Sequence, residues 1–263
     1  MTCIDDTILK RLNEIDQLKQ RLEALTPYDP VILDYFKKAL DVDLTYNSNA
    51  IEGSTLTLQE TKFILNDGLV SKPKPVREVL EAINHRDAIR YVETLKPHVP
   101  HIISEEEILN IHREILKGIH PSYAGTYRTD AVYIKLRTGK IQHFCEWTEV
   151  SSKVKALLQW VRDHASEFHP VLLAAELHYR FVSIHPFIDG NGRTARLLMN
   201  LILIQHGYPM ADIKVESREP YLDAIQLARE TENMIPFYEV GIDALKESLM
   251  LHIETFEKRI LWK

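Results

Sequence analysis

Hydrophobic residues recur every three or four positions along most of this chain, which is the period of an amphipathic helix. Capping boxes at Thr57–Glu60 and Ser104–Glu107 indicate where two of the helices begin. Pro236 suits a first helical turn. The pattern predicts helices over residues 5–25, 76–95, 105–117, 148–165, 170–184, 191–205, 217–230 and 236–261. Another helix is predicted to begin after Asp29-Pro30 and to run towards SNAIEG (48–53), and a short one to open at Thr57 and to close at Gly68.

Residues 121–147 follow a different pattern. Val132, Ile134 and Leu136 alternate with other residues, RTGK (137–140) makes a turn, and Ile141 and Phe144 follow. This is typical of a β-hairpin, and it occurs once in the sequence. SKPKP (71–75) reads as a linker. The predicted fold class is therefore all-α with one hairpin.

The first predicted helix carries a heptad-like apolar stripe. Packing of this stripe on its own domain is favoured, because three heptads are a weak coiled-coil signal. A homodimer contact is the alternative. The stripe consists of Ile8, Ile15, Leu18, Leu22 and Leu25.

Composition narrows the class of protein. The 263 residues are 45% hydrophobic and 27% charged, as in soluble globular proteins, and the net charge of −6 argues against non-specific nucleic-acid binding. Cys3 and Cys145 show neither a disulfide framework nor zinc spacing, which fits a reducing compartment. Without a signal peptide or a membrane-length apolar run, we expect a cytoplasmic protein with no membrane contact.

The polar segment HPFIDGNGRTAR (185–196) lies between two apolar helices. Gly190-Asn191-Gly192 offers consecutive backbone N–H groups, and the helix that starts there adds the positive end of its dipole. Arg193 and Arg196 share one helix face. Together these features indicate a polyphosphate site. Asp189 is suited to Mg²⁺, and His185 to a general base.

The same twelve residues match every defining position of the Fic-family motif, His-x-Phe-x-Asp/Glu-Gly-Asn-Gly-Arg-x-x-Arg. The resemblance to this family (the Fido-domain protein adenylyltransferases) extends over about residues 105–245. It implies a Fic-type helical core with one β-hairpin flap, preceded by an N-terminal helical region. The domains would be 1–103, 104–246 (catalytic) and a C-terminal helix, 247–263. The implied reaction moves AMP from ATP to a Ser, Thr or Tyr hydroxyl of a target protein.

The resemblance also implies residue roles. His185 would deprotonate the target hydroxyl, and Asp189 would bind the Mg²⁺ that bridges the α- and β-phosphates. Phe187 would be a buried anchor. The phosphates would be held by Gly190, Asn191, Gly192, Arg193 (β and γ) and Arg196 (γ).

Other parts of the chain resemble the family as well. GTYR (125–128) fits its pattern, and the hairpin Val132–Phe144 resembles the flap that docks a target segment by strand addition. Tyr221 is a candidate for the adenine pocket, with an ordinary helical position as the alternative. Doc-type members, which are associated with phosphate transfer, carry lysine at the position of Gly192, so the glycine here favours adenylylation.

SNAIEG (48–53) matches the family's inhibitory pattern, Ser/Thr-x-x-x-Glu-Gly/Asn, at Ser48, Glu52 and Gly53. The resemblance implies a class whose inhibitory helix precedes the catalytic domain. We expect Glu52 to pair with Arg196 and to block productive binding of the γ-phosphate. A plain helix end is the alternative, as is a capping box in which Asn49 and Glu52 start a new helix.

Three other functions stay open at this point. The chain could be a nucleotide-binding regulatory module with little transferase activity. It could instead remove AMP, or do both, with Glu52 positioning water. Metal-dependent hydrolysis by Glu176, His178 and His185 is weaker, because the spacing is not that of a helical zinc site. The sequence does not identify the target protein.

Overall fold

The computed structural model describes residues 6–95, 103–136 and 139–262. Ten α-helices and one two-stranded antiparallel sheet make up most of this part of the chain. The helices are α1 (Asp6–Glu23), α2 (Pro30–Ile51), α3 (Leu58–Lys62), α4 (Val76–Thr94), α5 (Glu105–Leu116), α6 (Val150–His164), α7 (Pro170–Ile184), α8 (Asn191–Gln205), α9 (Arg218–Thr231) and α10 (Ile235–Lys258). The predicted all-α class with one hairpin is confirmed.

Local signals decide where the helices begin. The Asp29 side chain accepts a hydrogen bond from the backbone N–H of Val31 at 2.9 Å and so caps α2. The predicted capping boxes open α3 and α5, each with both of its reciprocal hydrogen bonds. Pro236 lies in the first turn of α10, as expected.

Two predicted elements differ in detail. The helix after Thr57 continues from α3 as a π-helix, Phe63–Asp67, before Gly68 ends it with a φ of 67°. The strands of the hairpin are short, β1 (Tyr133–Lys135) and β2 (Ile141–His143). Almost all of their side chains are exposed, so the alternation reflects strand formation rather than a buried face. Arg137 and Thr138 of the predicted turn lie outside the described residues.

The motif helices α7 and α8 occupy the centre of the core. Eleven residues of α7 and fourteen of α8 are buried. Burial on all sides explains why residues 197–204 of α8 (LLMNLILI) form a nearly continuous apolar run rather than an amphipathic pattern. The polar loop 185–190 therefore connects two helices that are largely buried in the core.

Helices α1 and α10 pack lengthwise against each other. The apolar stripe of α1 faces this contact, with Ile8 and Ile15 at 0% exposure, so its predicted packing on its own domain is confirmed. Ion pairs connect the helices in matching order: Arg11 with Asp243, Glu14 with Lys246, and Arg21 with Glu257. Because the numbers rise together, the two helices run parallel. Whether the chain also forms a dimer stays a prediction.

The N-terminal helices α2 and α4 pack against α8 and against each other. They share one hydrophobic core with the motif helices and with α10. The predicted division at 103/104 and 246/247 stays a prediction, and residues 96–102 beside the first boundary lie outside the described residues. None of the described helices combines the length and apolar composition that a membrane crossing requires.

Candidate active site

The loop between α7 and α8 is shaped by two residues with positive φ. His185 ends α7 with a φ of 53°, and Gly190 precedes α8 with a φ of 78°. At Gly190 a side chain would be strained, and its Cβ would lie 3.3 Å from Cδ2 of His112. The loop therefore presents His185 on one side and the N-terminus of α8 on the other.

Phe187 and Asn191 fix the loop from inside. Phe187 is 0% exposed, and its ring stacks on His112 with the centroids 3.5 Å apart. The Asn191 side chain accepts from the Phe187 N–H at 2.9 Å and donates to the Phe187 carbonyl at 2.8 Å. The side chain of Asn191 thus holds the loop, and only its backbone is left for the predicted phosphate cradle.

His112 is a supporting residue to which the sequence analysis gave no role. Its Nδ1 accepts from the Gly125 N–H at 3.0 Å, so Nε2 carries the proton and donates to the Asp189 carbonyl at 2.9 Å. Burial lowers the pKa of His112 to about 4, which keeps this neutral tautomer at ordinary pH. No short spacing could have revealed it, because 77 residues separate the partners.

Arg128 is a second support that had no assigned role, although it lies in the GTYR segment. Its buried guanidinium donates to three backbone carbonyls: His185 at 2.9 Å, Cys145 at 2.6 Å and Asp130 at 2.9 Å. These bonds connect the motif loop to both ends of the hairpin segment. Arg128 therefore sets the position of the flap relative to His185.

The imidazole of His185 is neutral and partly shielded. Burial, followed by the charge of Arg128, lowers its pKa to about 4. One face stacks on Phe144 at 4.1 Å between ring centroids. One ring nitrogen hydrogen-bonds the Val182 backbone. In this tautomer the other nitrogen can accept a proton, as a general base must.

The N-terminus of α8 is a candidate anion site. No side chain among the described residues caps its first N–H groups, and Gly190, Asn191 and Gly192 lie there together. Arg193 and Arg196 are 3% and 5% exposed. This arrangement of backbone donors, helix dipole and guanidinium groups is suited to a polyphosphate.

Arg196 is fully engaged by α2 and α9. It donates from Nη2 to Oε1 of Glu52 at 2.7 Å and to the Ser48 carbonyl at 2.8 Å, and from Nε to the Ser48 hydroxyl at 3.0 Å. Its Nη1 lies 3.3 Å from the Tyr221 hydroxyl, which also contacts Nε2 of His178 at 2.9 Å. The predicted contact of Glu52 with Arg196 is present. The predicted adenine role of Tyr221 stays a prediction, and its hydroxyl holds Arg196.

SNAIEG forms the C-terminal end of α2. Ile51 is the last helical residue, Glu52 is the C-cap, and Gly53 follows with a φ of 100°. The alternative in which Asn49 and Glu52 start a helix is wrong, because α2 runs through Asn49 and ends at this point. Arg218 donates to the Ile51 carbonyl at 2.7 Å. Two arginines therefore offset the negative end of the α2 dipole, where an acid is otherwise disfavoured.

Asp189 is held by cations and by backbone. Arg77 of α4 lies 2.5 Å from its Oδ2, and the Gly190 N–H donates to its Oδ1 at 2.6 Å. The donor set fits Mg²⁺, which takes one or two carboxylates together with substrate phosphates. Within residues 6–95, 103–136 and 139–262, no group of three or more His, Cys, Asp or Glu side chains could hold a metal by itself.

The zinc alternative finds no support in the arrangement of α7. Glu176 accepts from the Tyr238 hydroxyl at 2.6 Å and from Nε of Arg180 at 2.7 Å. His178 contacts Tyr221 on another side of the helix. The side chains of Glu176 and His178 are thus committed to separate partners, away from His185.

A cavity of about 380 Å³ connects these parts. It joins His185, the end of α2, the start of α8, the hairpin and α9. Its lining includes Glu52, Ile134, Phe144, His185, Gly192 and Tyr221. The structure therefore brings Glu52, His185, Gly192 and Tyr221 to one cavity, whereas the predicted residues Asp189, Arg193 and Arg196 do not line it.

Comparisons with known proteins agree with this geometry. Residues 102–203 match the model of the Fic/DOC family. The chain is 32% identical to "Protein adenylyltransferase Fic" of Aedes aegypti, over 93% of this chain and 48% of that protein. It is 37% identical to "Protein adenylyltransferase fic-1" of Caenorhabditis briggsae, over 70% of this chain and 36% of that protein. The chain thus spans about half or less of the length of these relatives.

Solved structures agree as well. A Fic domain containing signaling protein from Bacteroides thetaiotaomicron is 28% identical, with a TM-score of 0.89 over 95% of this chain and 98% of that chain. Fic-1 from C. elegans is 30% identical, with a TM-score of 0.84 over 95% of this chain and 73% of that chain.

Proposed function

The chain belongs to the Fic/DOC family, and from that premise we propose that it transfers AMP from ATP to a hydroxyl group of a target protein. The observation that carries this proposal is the meeting of a neutral His185 with the anion site at the start of α8, in one cavity. The target hydroxyl would be a Ser, Thr or Tyr side chain.

His185 acts as the general base in this proposal. It takes the proton of the target hydroxyl, whose oxygen then attacks the α-phosphorus of ATP, and pyrophosphate leaves. Arg193 and Arg196 hold the β- and γ-phosphates, and the backbone at Gly190, Asn191 and Gly192 donates to phosphate oxygens. Such a reaction depends mainly on positioning and on stabilisation of charge, which fixed N–H groups and guanidinium groups supply.

Asp189 would hold Mg²⁺, and the metal would neutralise phosphate charge when bound. The carboxylate is 34% exposed at the mouth of the anion site, which suits an ion that the protein and the phosphates share. His112 and Gly190 keep Asp189 in place through its carbonyl and its Oδ1.

Glu52 is an internal inhibitor in this proposal. Its carboxylate takes the donors of Arg196 that the γ-phosphate would need, and Ser48 takes others. Gly53 allows α2 to end with the Glu52 side chain facing Arg196. The hairpin around Ile134 would pair with an extended target segment, because its strands are exposed and border the cavity.

Labelled ATP tests the proposal. Glu52→Gly should raise self-labelling about tenfold, because a charge-assisted hydrogen bond contributes ~1.5–3 kcal/mol, this pair is partly exposed, and about 1.4 kcal/mol corresponds to a decade in rate. Glu52→Gln keeps the shape without the charge and should give a smaller rise.

Glu52→Gly combined with His185→Ala is the matched control. It should bind ATP with similar affinity, measured by calorimetry, and should transfer no label. Transfer without His185 would contradict the base assignment. An unchanged rate in folded Glu52→Gly would contradict the inhibitory role, and nucleotide binding with no transfer in any variant would favour a regulatory module.

The reverse reaction is the second candidate, because Glu52 lines the same cavity as His185. An acid at this place could position water against an AMP–protein bond. Incubating labelled product with the native chain and with Glu52→Gly separates the two reactions: release of AMP by the native chain alone would assign removal to Glu52.

A further inference from the structure

Helix α4 contacts two charged residues of the motif, Asp189 and Arg193, whose charges are not neutralised by α2. Arg77 lies 2.5 Å from Oδ2 of Asp189, and Glu81 lies 3.4 Å from Nη1 of Arg193. Arg77 and Glu81 also pair with each other at 3.0 Å, one helical turn apart. The result is a closed ring of alternating charge, in which Arg193 and Asp189, 3.4 Å apart, complete the circle.

In this ring, Arg77 lies beside the carboxylate of Asp189, the residue proposed to bind the metal. The Gly190 N–H already takes Oδ1 of Asp189, so Oδ2 is the atom more accessible to an incoming cation, and the guanidinium of Arg77 is on it. A divalent cation bound to that oxygen would lie close to the guanidinium of Arg77, and the two positive charges would repel each other. Binding of the cation therefore favours displacement of Arg77.

We propose that Arg77 competes with the divalent cation for the carboxylate of Asp189, so that α4 inhibits the site by a second route that does not depend on Glu52. The inference rests on the proposed function, since it assigns Asp189 to the metal. Glu52 blocks a phosphate position, and Arg77 blocks the cation position. The side chain of Arg77 is 51% exposed, so it can swing away without unfolding α4.

The test measures metal binding rather than turnover. Glu52→Gly protein is saturated with an analogue of ATP in which an imido group bridges the α- and β-phosphates, so that AMP cannot be transferred. The complex is titrated with MnCl₂, and bound Mn²⁺ is followed by electron paramagnetic resonance. Arg77→Gln in this background should lower the Mn²⁺ concentration at half-saturation about two- to fivefold, the range that corresponds to one exposed ion pair. Arg77→Lys keeps the charge without the planar fork and should give a smaller decrease.

Arg90→Gln is the matched control, because Arg90 lies on the same helix, is 56% exposed and forms one ion pair, with Asp41. It should leave the midpoint unchanged. An unchanged or higher midpoint in both Arg77 variants would overturn the inference, while label transfer by Glu52→Gly would leave the proposed function intact.

Asp189→Asn provides the remaining comparison. If it leaves Mn²⁺ binding unchanged, the metal assignment and this inference both fall. Weaker Mn²⁺ binding in Asp189→Asn, together with tighter Mn²⁺ binding in Arg77→Gln, supports the inference even if no target protein is labelled.

Discussion

Gly192 shows how one missing side chain shapes the site. A Cβ at this position would overlap Oε1 of Glu52 and would lie 3.2 Å from Nη1 of Arg196. Gly192 does not have a positive φ, so a larger residue would meet no backbone strain, but its Cβ would collide with the Glu52 carboxylate and crowd Arg196.

Gly192→Ala should therefore displace Glu52, whose side chain is 41% exposed and free to turn outward. The two positions are in contact, so their effects should not add. We expect Glu52→Gly to stimulate self-labelling much less in the Gly192→Ala background than in the native chain, as a double-mutant cycle with labelled ATP would measure. Full stimulation in that background would contradict the collision.

Residues within the motif were predictable, whereas several of their partners were not. The motif places a histidine, an aspartate, two glycines and two arginines within twelve consecutive residues, so their spacing and chemistry can be recognised from the sequence alone. His112, Arg128 and Arg77 act on that segment from 77, 57 and 112 positions away. No period or cap encodes such contacts, because they exist only after the helices have packed.

Among the elements, α2 is held at its C-terminal end by two arginines from different helices. Arg196 takes the Ser48 carbonyl, and Arg218 at the start of α9 takes the Ile51 carbonyl. Both carbonyls belong to the last turn of α2, where no helical partner is left for them. The position of Glu52 thus depends on Arg218, which no inhibitory motif contains.

Arg218→Ala should loosen the last turn of α2. One partly exposed hydrogen bond from a charged group contributes about 1 kcal/mol, equivalent to roughly fivefold in the opening equilibrium. Hydrogen exchange of the backbone amides at 44–52 should accelerate by about that factor. Arg162→Ala is the control and should leave the exchange of α2 unchanged, because the guanidinium of Arg162 hydrogen-bonds Gln159 on its own helix. Equal hydrogen exchange at residues 44–52 in Arg218→Ala and Arg162→Ala would contradict the conclusion that Arg218 holds the last turn of α2.

The elements themselves were largely evident from period and caps, while the shape of the hairpin was not. Helix α7 begins and ends at the predicted residues, because a proline and a polar loop bound it. The strands β1 and β2 are shorter than predicted, because neither of their faces packs against the core.

At the scale of the whole molecule, the core holds several histidines neutral. Burial lowers the pKa of His112, His185 and His252 to about 4, and that of His178 to about 3. In the unfolded chain each would titrate near 6.5. Between these values the unfolded state binds more protons, so the stability that they contribute is complete above about pH 6.5 and is lost as the pH falls towards 4.

We therefore expect the free energy of unfolding, measured by urea titration at pH 7, 6 and 5, to fall with acidity. Each such histidine contributes about 1.4 kcal/mol per pH unit to the slope in the steepest part of this window. Asp41 opposes the trend, because burial raises its pKa to about 6. His252→Phe removes one histidine remote from the candidate site and should flatten the slope by about that amount. An unaltered slope would contradict the assignment.

The parallel packing of α1 and α10 also determines how the fold would respond to mechanical load. If residue 6 and residue 258 were pulled apart, force would enter α1 at its first residue and α10 at its last, at opposite ends of a contact about 27 Å long. The helices would have to slide along each other, so the ion pairs and apolar contacts would bear the load together. The load would therefore act on this helix pair in shear rather than in peeling, so its contacts would have to break together rather than one after another.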